Sequence, residues 1–89
     1  MPEIHITLQH PAGLHARPAS LFVQTAKRFQ SQISISHGDR SGNAKSILNV
    51  LALGASQGAE VTIRAEGEDA GAALAALQAL IKGNFGEAA

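Results

Sequence analysis

The spacing of apolar residues switches repeatedly along this chain between every second position and every third or fourth, and that alternation limits which folds can bury them. Ile4, Ile6 and Leu8 alternate with His5 and Thr7, the period of a strand with one face in a core. Residues 9–13 read as a loop. From Pro18 onward, Ala19, Phe22, Val23, Ala26 and Phe29 follow helical spacing, which turns Gln24, Lys27 and Arg28 to water. Proline suits the first turn of a helix, where its missing N–H costs nothing, so Pro18 marks where this helix starts. Ile33 and Ile35 alternate again, and His37-Gly38-Asp39 forms a hairpin turn into a short weak strand over residues 40–44. Ser46 can cap a short helix over residues 47–51, which Gly54 leaves through a left-handed conformation. Val61, Ile63 and Ala65 alternate as a fourth strand. Asp69 then caps a last helix with Ala73, Leu74, Leu77, Leu80 and Ile81 facing inward and Gly83 at its end. The order βαββαβα predicts an α+β layer with helices on one face of the sheet.

Eighty-nine residues suffice for one domain, expected over 1–89. Without cysteine, disulfides, zinc-thiolate sites and thiol catalysis are excluded, and a cytoplasmic location is expected. Neither a signal peptide nor a membrane span is legible. Seven basic residues balance seven acidic ones, and three phenylalanines are the only aromatics of the Phe, Trp and Tyr class. Nucleic-acid binding is therefore not expected, because it draws on a basic face and often on aromatic platforms.

The chemistry is concentrated in Gly13-Leu14-His15-Ala16-Arg17-Pro18-Ala19. His15 falls just outside the start of a helix, where unpaired N–H groups and the helix dipole favour an anion. Arg17 offers a planar fork that matches phosphate oxygens. An unprotonated imidazole nitrogen can take a phosphoryl group and pass it on. A surface or capping histidine beside a solvated arginine fits the same short pattern, so the pattern alone leaves both readings open.

Three blocks in the right order resemble the HPr family, the histidine-containing phosphocarriers of the bacterial phosphotransferase system. They are the segment around His15, the run Lys45-Ser46-Ile47-Leu48-Asn49-Val50-Leu51-Ala52-Leu53-Gly54, and the stretch carrying Val61-Thr62-Ile63 and Gly67-Glu68-Asp69. The resemblance implies an open-faced sandwich, a four-stranded antiparallel sheet with three helices on one face. It implies that His15 accepts a phosphoryl group from enzyme I and passes it to sugar-specific enzyme II components, with Arg17 orienting the phosphate. The chain is then a monomeric carrier with no cofactor, not an enzyme. Ser46 matches a serine phosphorylated in many members by a dedicated kinase, and it is equally suited to be only an N-cap. Ile47, Leu48 and Leu51 match positions that meet enzyme I and the enzyme II A proteins, although Leu48 stands where methionine or phenylalanine is common. Alternative readings are a regulatory module in which phosphorylated Ser46 promotes association with a transcriptional regulator, and a carrier for nitrogen-linked signalling.

The remaining polar residues are expected to be structural. His5, His10 and His37 are spread over a strand, a loop and a turn without ligand spacing, so they read as solvated and no metal site is predicted. Asp39 and Asp69 read as a turn residue and a cap rather than a catalytic pair.

Overall fold

A computed structural model describes residues 2–11 and 13–86. Its elements are β1 (Glu3–Thr7), α1 (Ala16–Ala26), β2 (Gln32–His37), β3 (Arg40–Asn43), α2 (Ile47–Ala52), β4 (Glu60–Glu66) and α3 (Ala70–Lys82), followed by a short turn over Asn84–Gly86. The strands form one sheet in the order β1-β4-β2-β3, and every pairing is antiparallel. β4, the last strand in the chain, thus lies inside the sheet. Its register sets Ile63 opposite Ile4 on one side and Ile35 on the other. That register puts Ile6, Ile33, Ile35, Val61, Ile63 and Ala65 on the buried face, and a slip by one residue would turn each of them to water.

The helices cover only that face. α3 packs on β4 and β1, α2 on β3, and α1 against the two other helices. Phe22, Val50, Leu77 and Ile81 complete a core with Leu8, Ile35, Val61 and Ile63. The opposite face exposes Glu3, His5, Thr7, Gln32, Ser34, Glu60, Arg64 and Glu66. On it, Glu3 accepts from Arg64 at 2.8 Å and pairs with His5 Nε2 at 2.8 Å, while His5 Nδ1 lies 2.9 Å from the Thr62 hydroxyl. This is the α+β layer with helices on one face expected from the order of periodicities, and the open-faced sandwich that the resemblance implies.

Several boundaries and roles differ from the sequence reading. β1 stops at Thr7, yet Leu8 is fully buried and exchanges backbone hydrogen bonds with Gly58 and Ala59. α1 begins at Ala16, two residues before Pro18. Proline fits there because the third residue of a helix still has no carbonyl one turn back to bond. His10 is not solvated but 8 % exposed, its ring meeting Phe85 edge-on at 5.9 Å between centroids. His37 is half-buried, with Nδ1 3.2 Å from the Leu53 carbonyl.

Asp69 occupies the position before α3 but makes no side-chain cap bond. Its backbone (φ −101, ψ 22) departs from the extended shape that lets a cap side chain reach its own helix. The carboxylate instead accepts from the amides of Gln30 and Ser31, each at 2.9 Å, and from the Ser31 hydroxyl.

Candidate functional site

His15 holds the N-cap position of α1 in extended backbone (φ −94, ψ −174), and its carbonyl accepts the first helical bond, from Ala19 at 2.8 Å. An extended N-cap would let a serine or aspartate bond the helix with its side chain. The His15 imidazole makes no such bond and is exposed. The helix thus starts without a side-chain acceptor, and its first turn contains no acidic residue. Because bonding begins at Ala19, the amides of Ala16 and Arg17 precede any intrahelical partner, and Pro18 has no amide. An anion near His15 meets the positive end of an eleven-residue helix. Arg17 is the second residue of that helix and is exposed.

The loop ahead of His15 is held from two sides. The Gly13 amide donates to the His10 carbonyl at 2.9 Å, and the Leu14 amide donates to the Ala55 carbonyl at 3.0 Å. The Leu14 side chain is buried, which directs the next residue outward. Gly13 has φ +61, and a Cβ there would lie 2.5 Å from both Ala55 O and Ser56 Cα. Backbone shape and close approach therefore both demand glycine. Neither requirement is legible locally, since Ala55 lies in another block of the chain.

Ala55 also joins this loop to α2. Ser46 caps α2 from extended backbone (φ −113, ψ 116), its hydroxyl accepting from the Asn49 amide at 3.3 Å and from Asn49 Nδ2 at 3.0 Å. Asn49 Oδ1 accepts in turn from the Asn43 amide at 3.1 Å, tying the cap to β3. Sequence reading missed Asn49, although a polar amide three residues after a serine cap is a recognisable capping pattern. At the other end, Arg40 donates to the Ala52 carbonyl at 3.1 Å, and Gly54 leaves the helix at φ +64.

Val50 turns inward from α2, leaving Ile47, Leu48 and Leu51 exposed at 38 %, 76 % and 39 %. These are the exposed large apolar side chains among the described residues. The fold brings them near the His15 loop through the Leu14–Ala55 bond and the packing of α1 on α2. His5, His10 and His37 do not converge on His15. They lie on the open sheet face, against Phe85 and against the end of α2, respectively.

Comparison with known proteins agrees with this geometry. Residues 2–83 match the family described as PTS HPr component phosphorylation site. The phosphocarrier protein HPr of Xylella fastidiosa (strain Temecula1 / ATCC 700964) is 42 % identical over 87 residues, covering 98 % of each chain. The crystal structure of HPr-C-His from Thermoanaerobacter tengcongensis superposes with a TM-score of 0.97 at 48 % identity, covering 100 % of both chains. A crystal structure of an HPr dimer from the same organism gives 0.79 at 49 % identity, covering 98 % of this chain and 100 % of that one. An exposed histidine at a helix start, a clamped loop ahead of it and these full-length likenesses lead to one conclusion: the chain belongs to the HPr family, the phosphocarriers of the phosphotransferase system.

Proposed function

We propose that His15 is the phosphoryl acceptor and that Arg17 orients the group during transfer. A ring nitrogen of His15 attacks the phosphorus of a phosphohistidine on enzyme I, so that one N–P bond forms as another breaks. The same exchange in the other direction hands the group to an enzyme II A component. The observation that carries this reading is the exposed imidazole at the N-cap of α1, unbonded to its helix and facing a first turn without acidic residues. Phosphate charge is favoured there before any partner arrives. The chain acts as a carried intermediate rather than an enzyme, its partners supplying most of the catalytic surface.

Ile47, Leu48 and Leu51 form the surface that docks on enzyme I and the enzyme II A proteins. Their exposure beside polar neighbours supports this, because clustered apolar side chains at a surface are costly to leave wet. Ser46, at the edge of that surface, is a regulatory phosphorylation site as well as a cap; the partners this adds are a serine kinase and a transcriptional regulator. One HPr-like domain over 1–89, working as a cytoplasmic monomer, completes the proposal. No helix of the described residues is long and apolar enough to cross a membrane.

Incubation with enzyme I and phosphoenolpyruvate, followed by locating the phosphate, tests the central assignment. The label is expected on His15 and lost in mild acid, as a phosphoramidate nitrogen protonates and leaves. His15→Ala is expected to fold normally and accept nothing. Acid-labile phosphate on that variant, or on His5, His10 or His37, overturns the assignment.

A further inference from the structure

In the turn over Asn84–Gly86, Phe85 adopts backbone that a bulky residue does not favour. Asn84 and Phe85 both lie in the left-handed region, at φ 53 and 57, whereas Gly83, which could adopt it freely, stays at φ −87. Asparagine tolerates that region, but a bulky aromatic is strained there, and such strain persists only where surrounding contacts outweigh it. What the turn achieves is to fold Phe85 back into the core, where it is 3 % exposed, in a turn that lies against α3 and α1. Its ring meets His10 edge-on, with centroids 5.9 Å apart and planes at 76°. This is a favourable aromatic geometry.

His10 is the near end of the loop that carries His15. Its carbonyl receives the Gly13 amide at 2.9 Å, the Leu14 amide is fixed to Ala55 at 3.0 Å, and His15 follows. Phe85 and Ala55 therefore hold opposite ends of one short segment. We propose that Phe85 is a positioning residue for phosphoryl transfer, a clasp from the end of the fold that presses on His10 and fixes the loop presenting the His15 imidazole. The proposal rests on the assignment of His15 as acceptor. Transfer between two histidines depends on alignment of the attacking nitrogen, so a loosened loop lowers the rate even when docking is intact.

The test compares wild type with Phe85→Leu, His10→Ala and His10→Phe as full chains. It reads amide hydrogen exchange at Gly13, Leu14, Val50 and Ile63 together with kcat and KM for phosphorylation by enzyme I. In Phe85→Leu and His10→Ala, exchange at Gly13 and Leu14 is expected to rise about tenfold while Val50 and Ile63 keep their protection. The accompanying fall in kcat is about three- to tenfold with KM unchanged, because the exposed face of α2 is untouched. His10→Phe keeps an aromatic edge and is expected to retain more protection and rate than His10→Ala. Should Phe85→Leu lose the fold, the two His10 variants decide the matter from the other side of the contact. Wild-type protection at Gly13 and Leu14, loosening spread evenly over the core, or a defect confined to KM each overturns the clasp. Failure of the His15 assignment would show separately, as phosphate accepted by His15→Ala, while the exchange pattern reads the loop without any phosphoryl chemistry.

Discussion

Arg17 lies two residues beyond His15 and is itself exposed, although Pro18 and Ala19 directly after it are buried, so its side chain can change contacts without disturbing the core. In the role proposed for it, its guanidinium fork meets phosphate oxygens and strengthens as charge builds during transfer, and such a group is kinetic more than structural. Arg17→Ala is expected to slow phosphorylation by enzyme I about ten- to a hundredfold with little change in melting temperature. Arg17→Lys keeps the charge but loses the paired donors, so it should recover only part of the rate. Equal rates for wild type and both variants would remove Arg17 from the mechanism. Placement at a helix start was legible, because it depends on local chemistry. His15, Arg17, Pro18 and Ser46 could be picked out because a helix start makes the same demands in any protein. Gly13 could be noticed, but not explained, because the atoms its Cβ would strike belong to Ala55 and Ser56. His10 was misread for the same reason, since a histidine in a loop reads as wet until Phe85 is seen to meet it.

The six residues of α2 must be capped and packed while three large apolar side chains stay exposed. Its inward anchor is Val50 and its outward residues are Ile47, Leu48 and Leu51, so the helix owes much of its stability to its ends. Ser46→Ala removes the acceptor of two Asn49 hydrogen bonds and is expected to cost about 0.5–2 kcal/mol with transfer largely retained. Ser46→Asp keeps an acceptor and suits the helix dipole, so melting temperature should hold or rise slightly. The added charge must still be desolvated beside Leu48 and Leu51 on docking, and affinity for enzyme I is expected to fall. Leu48→Ala should weaken the same affinity without loss of fold. Binding by Ser46→Asp equal to that of wild type, or a defect traced wholly to unfolding, would reduce Ser46 to a cap. Elements as such were legible because period two and period 3.6 are visible in any window of apolar residues. Strand order was not, since periodicity says which face of β4 is buried but not that β4 enters between β1 and β2.

At the scale of the whole molecule, one sheet face is polar and open while the other carries every helix, so stability depends on joints that hold the helical layer to the sheet. Asp69 is such a joint. Its carboxylate links the start of α3 to the connection between α1 and β2, bonding residues 38 and 39 positions away in sequence. A local rule sees an aspartate before a helix and assigns a cap; the long-range donors win because Asp69 does not adopt capping backbone. The Ser31 hydroxyl first, and then the Gln30 amide, hold the carboxyl below the usual value of 3.8. A carboxyl lowered on folding adds stability at pH values above its unfolded value, and that stability disappears as pH falls through the folded value. The wild type is therefore expected to lose part of its resistance to urea as pH drops from about 5 towards 2. Glu3, lowered chiefly by Arg64 on the open face, contributes in the same direction. Asp69→Asn retains only one oxygen acceptor and turns an amide toward donors, so its urea midpoint should be lower at pH 7. Its deficit against wild type should shrink through the acid range as the native carboxylate protonates. Midpoints measured from pH 7 down to pH 2 for both chains check the argument: a deficit constant with pH would mean that the Asp69 charge contributes nothing and that only its shape matters.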